Sequence, residues 1–186
     1  MTAVVICNGP SRKGFDLSLF KDKATTIGCN VVYREHECDY YVCIDPGVLE
    51  ELHENVDKDK IIFAEGEAQF EPAHKPGARA KNNAGVFAME QAVKMGEKTV
   101  YVLGMDCIVA EGDFLGNVYL NTRNFPDKVS FDDQRRRLFY VDWFCSQYPT
   151  TKFIFCFPDE IKRYNRIEAK NVAGLTFSKL KEKLHA

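Results

Sequence analysis

No C-x-x-C pair occurs among the seven cysteines (7, 29, 38, 43, 107, 145 and 156), so the close ligand pairs of a structural zinc site are missing. An odd set of thiols, with Cys7, Cys29, Cys43 and Cys156 in or beside apolar runs, reads as small hydrophobes kept reduced in a cytoplasmic compartment. No apolar run approaches the roughly 18 residues of a membrane span, and the first residues lack the charged-then-apolar pattern of a secretion signal. Charge of one sign is not in excess. A formal net charge of -2 argues against nucleic acid or an anionic membrane as a general electrostatic partner. Two phosphate-binding signatures are also absent. The G-x-G-x-x-G fingerprint does not occur, and Gly9 and Gly14 are spaced as in a P-loop but followed by Phe15-Asp16. Without the P-loop lysine the terminal phosphates lose their main cation, which argues against a Walker-type ATPase.

What is present is a regular alternation. "AVVIC" (3–7), "ATTIGC" (24–29), "YYVCID" (40–45), "KIIFAEG" (60–66), "TVYVLGMD" (99–106) and "KFIFCF" (152–157) are short apolar runs rich in β-branched and aromatic residues, which predict strands covered on both faces. Helices are predicted between them. "PGVLEELHENV" (46–56) opens on a proline, and "NNAGVFAMEQAVKMG" (82–96) has Asn83 as N-cap and Gly96 as C-cap. "FDDQRRRLFYVDWFCSQY" (131–148) and a final "TFSKLKEKLHA" complete the set. The pattern predicts one α/β domain over the 186 residues, a Rossmann-like, mostly parallel sheet sandwiched between helices. Two long irregular stretches, 67–81 and 107–130, lie beside predicted strand ends, where open α/β sheets bind ligands.

The candidate site follows from those ends. The first strand runs into Asn8-Gly9-Pro10-Ser11, where glycine permits close backbone approach, proline fixes the turn, and Asn and Ser offer short hydrogen-bonding arms. Ligand binding and a plain turn are both open readings of it. The second strand ends on Asn30, whose amide both donates and accepts. Asp106 ends a central strand and is the first candidate for proton handling; its other reading is a turn cap. Asp133 and the loop residue His74 are further candidates, and Arg123 is a cation able to neutralise a leaving phosphate. Arg135-Arg136-Arg137 reads as a solvated helix face, and Phe139, Trp143 and Phe144 as core.

"VVICNGPS" followed by "IGCN", then "NNAGVFAMEQAVKMGEKTVYVLGMDC" (82–107) and "FIFCFP" (153–158), together resemble glycosyltransferase family 42, the Campylobacter-type sialyltransferases. They also resemble the related domain-of-unknown-function-115 proteins, which include 6-hydroxymethylpterin diphosphokinases. The resemblance implies a nucleotide-recognising Rossmann fold in which Asn8, Gly9, Ser11 and Asn30 meet a CMP-type donor and Asp45 is a further polar donor-site residue. It also implies an anion held at the helix start by Asn83, Ala84 and Gly85. The family's general-base histidine and paired tyrosines have no counterpart here: Asp132 and Asp133 are the nearest titratable groups before Trp143, and Cys107-Ile108 follows Asp106. The leading expectation is a glycosyltransferase acting on a nucleotide-activated sugar, with no required cofactor and no metal site. An ATP- and Mg²⁺-dependent pyrophosphokinase and a catalytically silent nucleotide-binding module are the alternatives. The sequence leaves the oligomeric state open.

Overall fold

The computed structural model describes residues 2–64, 83–110, 116–125 and 131–185, with the side chains of 131–133 outside the description. Seven strands form one all-parallel sheet: β1 (Thr2–Ile6), β2 (Thr25–Cys29), β3 (Tyr40–Cys43), β4 (Ile61–Phe63), β5 (Thr99–Leu103), β6 (Lys152–Phe157) and β7 (Val172–Thr176). Four helices join them: α1 (Pro46–Asn55), α2 (Ala84–Lys94), α3 (Phe131–Gln147) and α4 (Phe177–His185). The α/β, Rossmann-like arrangement expected from the alternation is present. No helix of the described residues is long and apolar enough to cross a membrane.

Strand order is β4-β3-β2-β1-β5-β6-β7. The chain walks outward from β1 to one edge, returns to β5 at β1's other side, and walks outward again. Successive residues of β1 serve opposite faces, as a strand's period of two requires. Ala3 and Val5 pack with α2 and α3, through Val86, Met89, Val141 and Phe144. Val4 and Ile6 pack with α1 and α4, through Val48, Leu52, Phe177 and Leu180. All seven cysteines are free and buried.

Each predicted strand is found: β6 has its predicted bounds, β1 is shifted by one residue, and β2, β3 and β5 are shorter than predicted, while residues 65–66 of the fourth lie outside the described residues. β5 stops at Leu103 rather than 106 because Gly104 takes a φ of +71°, a left-handed turn that no strand continues through. α2 starts where the capping pattern places it: the Asn83 side chain accepts from the backbone N–H of Gly85 at 2.9 Å and of Val86 at 3.3 Å. Gly96, just past its end, has a φ of +85°. One strand escaped sequence reading. β7 lies at the far edge, where "VAGLT" is too short and mixed to announce itself; it is held by Asn171, whose amide donates to the carbonyls of Cys145, Tyr148 and Thr151. Phe139 departs from its expected place in the core: it is 61% exposed, whereas Phe144 is buried.

Candidate functional site

The connection after β1 folds toward the α1/α4 face, burying Phe15, Leu17 and Phe20 there. The connection after β5 folds toward the opposite face, burying Met105, Cys107 and Ile108. Divergence at adjacent strand ends opens a crevice, the usual ligand position in open α/β sheets. A cavity of about 310 Å³ occupies it, at the small end of the roughly 300–1,000 Å³ range of ligand sites.

The β1 turn and the β5 turn are locked together beneath this cavity. Cys7 N–H donates to Leu103 O at 2.8 Å, and Gly9 N–H to Gly104 O at 3.0 Å. Gly9 has an ordinary extended backbone, so its lack of a side chain matters for space. A Cβ there would stand 2.4 Å from both the Asp106 Cγ and the Gly104 carbonyl. Asp106 in turn accepts from Ser11, from its N–H at 3.0 Å and from its hydroxyl.

This geometry separates the residues expected at the site. Asn8, Gly9, Asn30, Asp45, Asn83, Gly85 and Asp106 all line the cavity. Ser11 does not: both of its donors are taken by Asp106, and it is 2% exposed. Pro10 packs toward Gly116. Arg123 is drawn to α1, where it bonds Glu54 at 2.8 Å, and is not a lining residue. Arg137 is exposed, as the sequence reading of a solvated helix face expects, and it also borders the cavity. His74 and the Asp133 side chain lie outside the described residues.

Asn8 is the unusual group. It is 9% exposed, yet neither its amide nitrogen nor its oxygen has a hydrogen-bond partner among the described residues. Its backbone carbonyl is already used, accepting from Val118 N–H at 2.8 Å. Asn30, at a φ of +57°, gives its N–H to Val42 O and likewise leaves a buried side-chain oxygen unpartnered. Buried polar groups are nearly always paired, and each orphan costs about 1–3 kcal/mol. Two such groups on one cavity wall mark a surface shaped for a ligand with complementary donors and acceptors.

The remaining wall is a strap, residues 116–125, contributing Gly116, Asn117, Asn124 and Phe125. Sequence reading missed what fastens it. Arg12, 2% exposed, donates to Glu35 at 2.5 Å, to the Tyr119 hydroxyl at 3.0 Å and to the Cys7 carbonyl. Tyr119 donates to the same Glu35 carboxylate. A second tie runs from Asn124 to Glu51 at 2.8 Å, and Arg34 bonds both Glu51 and Thr122. Apart from the Cys7 carbonyl, these partners are 17 to 107 residues apart in sequence, and no local pattern announces them.

Burial pushes the Asp106 carboxyl up to about 6, against the lowering effect of the Ser11 hydrogen bonds and, more weakly, of Arg12. A carboxyl that binds its proton more tightly when folded stabilises the fold at low pH and loses that contribution as pH rises through the folded value. Stability is therefore expected to fall between about pH 4 and 6, by about 2–3 kcal/mol at 1.36 kcal/mol per unit. Asp106→Asn, able to accept from Ser11 N–H and donate to its hydroxyl oxygen, should flatten that part of a urea-denaturation pH series. An unchanged slope in the variant would assign the fall to another group. Burial also raises Asp45, with Arg137 pulling the other way. Contact with Cys29 (Sγ–Sγ 3.9 Å) and burial push the Cys7 thiol well up, which disfavours the Cys7 thiolate.

Among the described residues, no group of three His, Cys, Asp or Glu side chains is placed to hold a metal ion. Comparison with family models, with curated proteins and with solved structures returned no match.

Proposed function

We propose that the cavity binds a nucleotide, and that the protein transfers a glycosyl group from a nucleotide-activated sugar of the CMP type. The observation that carries the binding half is Asn8, a cavity-lining residue that is nine-tenths buried and whose amide atoms both lack a partner among the described residues. Support comes from the start of α2, whose Ala84 and Gly85 form part of the wall; the positive end of the helix favours a phosphate there. Asn8 and Asn30 would then satisfy the polar edge of the nucleoside. In the transfer step, the acceptor oxygen forms its bond to the anomeric carbon as the bond from that carbon to the phosphate oxygen breaks. The nucleotide departs with the electron pair, and the acceptor's proton passes to Asp106, whose proton affinity near neutrality suits a general base. The glycosyl-transfer half rests on the sequence resemblance to glycosyltransferase family 42.

A thermal-shift panel of CMP, CDP, UDP, GDP and ATP, each with and without Mg²⁺, tests it. A ligand at about 100 times its Kd adds about 2.7 kcal/mol, or about 5–10 °C for a domain of this size. The expected result is a Mg²⁺-independent shift with CMP. A shift seen only with ATP and Mg²⁺ would move the assignment to a pyrophosphokinase. No shift with any nucleotide would overturn the proposal.

A further inference from the structure

A second depression, of about 530 Å³, lies at the opposite, amino-terminal end of the sheet. It is bordered by Asp22 in the turn before β2, Thr25 at the start of β2, Asp39 and Tyr40 at the start of β3, and Met95 and Glu97 just after α2. Three carboxylates and no basic residue line it. Three lysines of the neighbouring segments have other partners: Lys23 donates to the Leu184 carbonyl, Lys60 pairs with Glu37 and Lys94 with Glu90.

Glu97 makes this more than an acidic surface. It is 5% exposed; among the described residues one carboxylate oxygen accepts a long 3.3 Å bond from Thr25, and the other oxygen, Oε2, is buried with no partner. Asp39, by contrast, is fixed by two 2.8 Å bonds from Thr26, one from its N–H and one from its hydroxyl. The carboxyl end of α2 also terminates here, with Met95 as its last capping residue, and adds the negative end of the helix dipole. An unpaired buried carboxylate beside two more acids is costly unless a cation arrives.

We infer that this depression is a binding site for an alkylguanidinium. The carboxylates are not placed to chelate a metal ion, which directs the site to an organic cation. A guanidinium suits the lining: its N–H donors can pair with Glu97 Oε2, and its plane and methylene stem can lie on Tyr40 and Met95. Such a group comes either as a free small molecule or as an arginine side chain of a partner protein.

Isothermal titration of the full chain with N-acetyl-arginine methylamide, at constant ionic strength, tests the assignment. Parallel titrations use N-acetyl-lysine methylamide, MgCl₂ and the peptide Gly-Gly-Arg-Gly-Gly. Saturable binding of the arginine compounds, at least tenfold tighter than the lysine analogue or Mg²⁺, is expected. Tighter binding of the peptide than of the amide points to a protein partner, and equal binding to a free ligand. Glu97→Gln should raise the Tm of the unliganded protein and weaken arginine binding at least tenfold. Asp22→Asn, in an exposed turn, repeats the affinity test should Glu97→Gln fail to fold. Absence of saturable binding, equal affinity for the lysine analogue or Mg²⁺, or unchanged affinity in the variants would overturn the inference.

Discussion

Gly9→Ala is expected to lower the unfolding free energy by about 4 kcal/mol, above the usual overpacking cost because the new methyl meets backbone, and to abolish nucleotide binding. The added Cβ would sit 2.4 Å from the Gly104 carbonyl and from Asp106, and neither can retreat. The carbonyl is held by the Gly9 N–H itself, and Asp106 by Ser11. Relief would require parting the turns after β1 and β5, which together form the base of the cavity. Gly14→Ala is the control. Gly14 has a φ of +83° but open space around it, so its substitution carries backbone strain alone, about 1 kcal/mol. Chemical denaturation of the two variants should therefore differ severalfold. A loss below 1 kcal/mol for Gly9→Ala would show that the turns are not locked as described.

Glu35→Ala has the second-largest expected effect, a loss of about 3 kcal/mol, the low end for breaking a buried ion pair because Glu35 is itself half exposed. The charge left behind is Arg12, whose side chain is 2% exposed and keeps only the Tyr119 hydroxyl and the Cys7 carbonyl. Burial opposes ionisation of Glu35, but hydrogen bonds from Arg12 and Tyr119 prevail and hold its carboxyl below the ordinary value. A depressed carboxyl contributes stability above its unfolded value of about 4.5 and loses it as pH falls through the folded one. Glu35→Ala should thus cost most near neutrality and progressively less below about pH 4. Because Tyr119 anchors the strap, nucleotide affinity should fall as well. Equal stability of variant and wild type at pH 7 would contradict a fastening role.

The sheet was readable because its strands are buried on both faces. Runs such as "VVIC" and "YVLG" have no polar side to obscure them. The start of α2 was readable because an N-cap acts within three residues, and Asn83 does so. β7 was not, since an edge strand with a glycine at its centre lacks the apolar run that marks the others. The site was legible in its turns and illegible in its tethers. Asn8, Gly9, Asn30 and Asp106 stand at strand ends, where topology alone gathers them. The engagement of Ser11 by Asp106, 95 residues away, the capture of Arg123 by α1, and the Arg12–Glu35–Tyr119 fastening are tertiary pairings.

The most direct test of nucleotide binding measures two properties of Asn8→Leu side by side: the Tm of the unliganded protein, and the affinity for CMP by isothermal titration. Leucine has nearly the shape of asparagine and removes both unpaired amide atoms, so stability should rise by about 1 kcal/mol or more. Affinity should fall at least 100-fold, because the nucleotide loses both a donor and an acceptor. Opposite movement of stability and affinity is the expected result, the mark of a polar group kept for a ligand. A rise in Tm with unaltered CMP affinity, or no CMP binding to the wild type, would contradict the assignment of this cavity.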